Sequence, residues 1–256
     1  MTTKCYNTCF ALAVENSEYI LVDAGGGNGI LNNLEKADID VAAIHNAFIT
    51  HSHSDHILGI IWIIRKIGMY MHAGKYEDNL NIYGHAEVIR DILTLARVVL
   101  TPGIIQLFGQ RIILCPVEDA QKENLAGLDF IFFDIHSTKA RQFGFNVQLK
   151  NGRMLTNIGD EPYHPLCRQY VQNCDWLLCE AFCLYKDRDI FKPYEKHHST
   201  VKDACELAEK LGIKNLVLWH TEDQNLQRRQ ELYTSEGRRY YSGNLWVPDD
   251  LDVIVL

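Results

Sequence analysis

The chain has 256 residues, 47% hydrophobic and 23% charged. That balance supports a substantial buried core and excludes disordered, collagen-like and disulfide-scaffold proteins. Against 25 Lys and Arg stand 33 Asp and Glu, a formal charge of -8, so a broad nucleic-acid-binding face is disfavoured unless a local basic patch or a metal centre reverses the sign.

The first predicted elements are strands at Phe10–Val14 and Tyr19–Asp23, joined as a hairpin by the polar turn Glu15-Asn16-Ser17. A strand at Ile44–Ile49 and helices at Ile57–Ile67 and Ala86–Val99 follow, then strands at Ile112–Val117, Phe130–Ile135, Phe145–Leu149 and Met154–Ile158. The remainder alternates: helix Leu166–Gln172, strand Trp176–Leu178, helix Val201–Leu211, strand Leu216–Leu218, helix Leu226–Thr234, strand Val253–Leu256. Interleaved periods of this kind define an α/β chain. The helix after Thr200 carries its own boundaries, with Ser199 or Thr200 as cap, Asp203 in capping-box position and Gly212 as stop. Met69–Asn79 and Tyr185–Lys196 are polar and aromatic enough to form pocket-rim loops. No linker or repeat interrupts residues 1–256, which are expected to form one domain.

The longest apolar run, Ile57–Ile64, ends at Arg65-Lys66, far short of a bilayer span. No membrane partner and a cytoplasmic location are expected. The eight cysteines lie mostly in apolar surroundings without a C-x-x-C pair, which suits reduced core thiols, with a small structural zinc site as the alternative.

The informative stretch is Thr50-His51-Ser52-His53-Ser54-Asp55-His56, between an apolar strand and an apolar helix. In an extended segment His51 and His53 point to one side, roughly 6.5–7 Å apart by strand rise, so two imidazoles can converge on one metal. Asp55 and His56, at the turn into the helix, can face a second ion. Three further ligand-type residues follow apolar strands: His136 after Phe130–Ile135, Asp160 after Met154–Gly159, and His220 after Leu216–Trp219. In layered α/β architectures the carboxyl ends of strands are where sites collect. Gly159 allows close backbone approach beside Asp160. Gly25-Gly26-Gly27 lacks the remaining pattern of a nucleotide loop and reads as a tight turn.

At these residues the sequence resembles the metallo-β-lactamase superfamily, whose H-x-H-x-D-H signature is His51-x-His53-x-Asp55-His56 here. The resemblance implies a four-layer αββα sandwich with a dinuclear centre. By it, His51, His53 and His136 hold one ion, Asp55, His56 and His220 hold the other, and Asp160 bridges them. That bridging carboxylate is absent from classical β-lactamase branches, so antibiotic hydrolysis is not the expected activity. Within the superfamily, Cys179-Glu180-Ala181-Phe182 resembles the H-E-A-T-F element of ribonuclease Z, and His198-Ser199-Thr200 resembles its H-S-T element. The resemblance makes Glu180 and His198 an auxiliary pair beside the metals, with His198 protonated and oriented by Glu180, and makes a homodimer reasonable.

Two divalent ions bridged by hydroxide supply a nucleophile near neutral pH and clamp substrate oxygens. Asp55 then serves as ligand and as proton acceptor, while His198 stabilises charge on a phosphoryl oxygen or protonates the leaving alkoxide. The donor set suits zinc, with manganese or iron as alternatives. Two features depart from bacterial ribonuclease Z. The interval between His136 and Asp160 is filled by two strands and the turn Lys150-Asn151-Gly152, leaving no room for a tRNA-binding arm, and the family's N-terminal P-x-K-x-R-N element keeps only Lys4 and Asn7. With the negative charge, this favours a small phosphodiester, such as a cyclic one, over nucleic acid. Thioester or lactone hydrolysis, tRNA 3′ processing and a non-catalytic metal-binding module are the alternatives.

Overall fold

Two sheets organise the protein. The computed structural model describes residues 2–256, which divide into two compact units, each built on one sheet.

The first unit spans residues 8–118 with 125–127. Its sheet has the order β1 (Phe10–Ala13), β2 (Tyr19–Val22), β3 (Ile44–Phe48), β4 (Leu80–His85), β5 (Ile112–Val117). β1 and β2 form the expected antiparallel hairpin, and β2 through β5 run parallel. The helices are α1 (Gly29–Lys36), α2 (Ser54–His72), α3 (Ala86–Val99) and the single turn α4 (Pro102–Ile105). Gly59 sets the approach of α2 to the loop after β2: a Cβ there would fall 1.8 Å from the Ala24 carbonyl oxygen. Only hydrogen fits, and the Gly59 N–H donates to the Gly25 carbonyl at 2.8 Å.

The second unit holds residues 2–7, 119–124 and 128–256. Its sheet has the order β12 (Asn244–Trp246), β11 (Asn215–Trp219), β10 (Trp176–Glu180), β9 (Met154–Asn157), β8 (Phe143–Gln148), β7 (Leu128–Asp134), β6 (Lys122–Leu125). β9 to β12 are parallel, whereas β8 is antiparallel to both β7 and β9. β7 therefore runs with β9, β10 and β11, and all four carboxyl ends lie at one edge. The helices are α5 (Arg168–Val171), α6 (Arg188–Phe191), α7 (Val201–Leu211) and α8 (Arg229–Gly237). α7 buries Val201, Ala204, Cys205 and Ala208 in a core that includes Leu177, Leu216 and Leu218. Each fully buried large side chain contributes about 1.5–3 kcal/mol relative to exposure.

Several expectations are corrected. α2 begins at Ser54, three residues before the predicted start, and runs through His72, so Met69–His72 is helix and not a rim loop. Beyond it Tyr76 is buried and donates to the Ile44 carbonyl at 2.8 Å. Val253–Leu256 forms no strand, despite its composition. α1, α4, β4, β6 and β12 lie outside the expected elements, and Tyr185–Lys196, expected as a rim loop, contains α6. Five cysteines, Cys167, Cys174, Cys179, Cys183 and Cys205, are buried, and burial raises each thiol's pKa, to about 12 for Cys174. That is the behaviour of core thiols and unlike that of reactive ones.

Candidate metal centre

In the first unit the signature occupies the passage from β3 into α2. His53 is the N-cap of α2, which places Asp55 and His56 in the first turn, where a carboxylate is favoured by the helix dipole. The ring nitrogens His51 Nε2 and His53 Nδ1 lie 2.8 Å apart. A tetrahedral zinc with bonds of about 2.0–2.1 Å separates its nitrogen ligands by roughly 3.3 Å, so this pair needs only a small opening to grip one ion. The His56 ring stands 4.2 Å from that of His51, centroid to centroid, and Asp55 Oδ2 is 3.9 Å from His56 Nε2.

These rings are held from behind by Asp23, which in the sequence is only the last residue of the expected strand Tyr19–Asp23. Its fully buried carboxylate accepts from the Thr50 N–H at 2.8 Å and hydroxyl at 2.9 Å, and from His56 Nδ1 at 2.9 Å. Thr50 Oγ1 also meets His51 Nδ1 at 2.9 Å. In the tautomer where His51 Nδ1 donates to the hydroxyl, which itself donates to Asp23, the His51 lone pair lies on Nε2, the nitrogen that faces His53. Carboxylate support of this kind raises ligand basicity.

In the second unit the predicted stations lie at the shared carboxyl edge. His136 follows β7, Asp160 follows β9, Glu180 ends β10 and His220 follows β11. Asp160, His198 and His220 bring ligand atoms within 4.8 Å of one another, and Asp160 Oδ2 stands 3.5 Å from His220 Nε2. His136 is outside this trio, on an exposed turn 5.0 Å from the His164 ring. Gln142 fixes Asp160 from both sides, donating to Oδ1 at 2.5 Å and accepting from the backbone N–H at 2.8 Å. At Gly159, whose φ is +73°, a Cβ would lie 2.0 Å from Gln142 Oε1, so glycine is what lets this clamp close. Buried Arg229 donates to Thr221 Oγ1 at 2.8 Å and Asn7 to the same hydroxyl at 2.9 Å, which anchors the residue after His220. Gly159 and Asn7 stand out in the sequence, whereas Gln142 and Arg229 carry no signal beyond polarity in an apolar context.

The auxiliary pair has a different bonding pattern from the one expected. Fully buried Glu180 accepts through Oε1 from the N–H and hydroxyl of Ser199, while its Oε2 is 3.7 Å from His198 Nδ1. His198 Nδ1 donates instead to the Asp160 backbone carbonyl at 2.9 Å. Burial, then the His220 and Lys139 charges, push the His198 pKa down to about 3. Burial pushes Glu180 well above the usual carboxylate range, against the Ser199 hydrogen bonds. The resting imidazole is neutral at pH 7.

Each unit presents imidazoles and carboxylates, with His56, Asp160 and His198 held by buried hydrogen-bond partners, and this set of side chains fits divalent ions such as zinc. Residues 18–221 match the family model for a β-lactamase superfamily domain. The chain belongs to the β-lactamase superfamily, as a metal-dependent hydrolase of the metallo-β-lactamase fold. It is 26% identical to the ribonuclease Z of Thermococcus sibiricus, over all of this chain and 93% of that protein. Among solved structures, the metallo-β-lactamase fold protein YhfI of Bacillus subtilis superposes with a TM-score of 0.74 at 18% identity, covering 95% of this chain and 89% of that one. The short form of human tRNase Z gives 0.68 at 22% identity, covering 97% and 92%.

Proposed function

We propose that the protein is a dinuclear phosphodiesterase that cleaves a small phosphodiester, with zinc as the favoured metal. In this reading His51, His53 and His136 serve one ion, Asp55, His56 and His220 the other, and Asp160 both. The observation that carries it is the pair of ligand nitrogens on His51 and His53, 2.8 Å apart and backed by Thr50 and Asp23. When bound, divalent ions lower the pKa of water and offset charge on phosphoryl oxygens.

The chain's own residues supply the rest. Asp55, 45% exposed on its side chain, accepts a proton from the attacking water. His198, held by the Asp160 carbonyl, keeps Nε2 for the substrate. Burial holds its pKa low despite the nearby Asp160 carboxylate; a phosphoryl oxygen close by adds negative charge that favours the charged ring and readies it to protonate the leaving group. Support for a small substrate comes from the interval 137–159, taken up by β8, a turn and β9 with no protruding arm. The second reading is tRNA 3′ processing, favoured by the full-length likeness to ribonuclease Z.

Elemental analysis of the zinc-reconstituted protein should approach two equivalents per chain, with turnover of bis(p-nitrophenyl) phosphate. His198→Ala should retain both ions yet lower turnover by roughly 10²–10⁴, the usual worth of a general acid or a charge-stabilising donor. A stoichiometry of one, or loss of an ion with His198, refutes the assignment.

A further inference from the structure

The turn after His136 carries a cation that the proposed reaction has not used. Lys139 Nζ lies 3.5 Å from His198 Nε2 and 3.9 Å from Glu161 Oε1, with its side chain only 22% exposed. The backbone beneath it is fastened by Glu161, which follows Asp160 directly. That carboxylate, 5% exposed, accepts from Ser137 Oγ at 2.6 Å and from the Thr138 N–H at 3.0 Å. Lys139 N–H donates to Ser137 Oγ at 3.3 Å, and Thr138 Oγ1 meets His197 Nδ1 at 2.6 Å. One buried carboxylate thus sets the position of the ammonium relative to Asp160 and His198.

With Thr138 Oγ1 at 3.5 Å as well, Glu161 serves three donors at shorter range than Lys139. The other neighbour is His198 Nε2, on a ring whose Nδ1 is engaged by the Asp160 carbonyl. The ammonium is thus three-quarters buried between an imidazole nitrogen at 3.5 Å and a carboxylate at 3.9 Å, without a close ion pair to either. An anion placed at His198 would give it a close one, and a charge-assisted bond from lysine is stronger than its present contact with the imidazole.

We propose that Lys139 is the anion-selecting residue of the site: it grips a non-bridging phosphoryl oxygen beside His198 and so restricts the substrate to phosphate esters in preference to neutral carbonyl esters. The inference deepens the phosphodiesterase reading and rests on it. Substrate entry replaces the Lys139–His198 contact by one to the phosphoryl oxygen. That exchange also leaves His198 Nε2 facing the leaving group.

The test compares wild type, Lys139→Met, Lys139→Gln and Lys139→Arg on bis(p-nitrophenyl) phosphate and on the neutral ester p-nitrophenyl acetate, with inorganic phosphate as a binding probe by calorimetry. Loss of a charged hydrogen bond should lower kcat/KM for the diester about 10- to 100-fold in Met and Gln variants. The neutral ester should change less than about threefold, Arg should restore part of the diester rate, and phosphate affinity should fall with the diester rate. Equal loss on both substrates, or unchanged phosphate affinity in folded variants, overturns the role of Lys139. Thermal melts of the Gln and Arg variants separate folding from recognition. If wild type cleaves only the neutral ester, the phosphodiesterase reading fails by itself, and the phosphate titration still decides Lys139.

Discussion

Asp23, His136 and His220 all adopt left-handed backbone conformations, with φ of +54°, +59° and +54°. Such conformations are uncommon outside glycine and cost about 1 kcal/mol or more. The three residues lie just past β2, β7 and β11, where the chain turns sharply enough to aim a side chain along the sheet edge. Periodicity predicts that a strand ends there but not the sign of φ. It also hides Asp23, whose role depends on two donors, Thr50 and His56, about 27 and 33 positions away in sequence. Asp23→Asn keeps the shape and the tolerance for positive φ but loses the charge that His56 and Thr50 point to. Zinc affinity, measured by competition with a chromogenic chelator, should fall about 10- to 100-fold. Unchanged affinity would show that the ligand rings are positioned without Asp23.

At the level of elements, α7 was legible because its limits are local. Thr200 accepts from the Asp203 N–H, Asp203 accepts from the Thr200 N–H at 2.9 Å, and Gly212 at φ +68° ends the helix. Thr200→Ala should lower stability by about 1 kcal/mol, the usual cost of an N-cap, read as a shift in urea midpoint without change in slope. No shift would mean that tertiary packing alone holds the start of α7. β4 was missed for the opposite reason: its sequence Leu-Asn-Ile-Tyr-Gly-His is half polar, and it is a strand because β3 and β5 pair with it on either side. Gly84 within it admits the Ile49 carbonyl oxygen to 2.9 Å from where a Cβ would sit. Val253–Leu256 shows the converse, an apolar tetrapeptide with strand composition that pairs with no strand among the described residues.

For the molecule as a whole, the proposed preference for a small substrate rests on surface and charge more than on the core chemistry. With a formal charge of -8 and no arm between His136 and Asp160, precursor tRNA should be processed far more slowly than small diesters. Its rate should also fall steeply between about 50 and 200 mM salt, as phosphate contacts are screened. Trailer cleavage at rates matching small diesters would move the assignment to tRNA 3′ processing. The sequence by itself determined the α/β class, the strand-end stations His51, His53, Asp55, His56, His136, Asp160 and His220, and the cap of α7. Each is written in contiguous residues, as an apolar run followed by a polar side chain of defined chemistry. Only the tertiary structure decided how those side chains are held. The Asp23, Gln142 and Arg229 supports, the bond from His198 to the Asp160 carbonyl in place of Glu180, and the placement of Lys139 all join residues distant in sequence. Their energies come from burial and hydrogen-bond geometry, which exist only once each sheet has aligned the carboxyl ends of its own parallel strands.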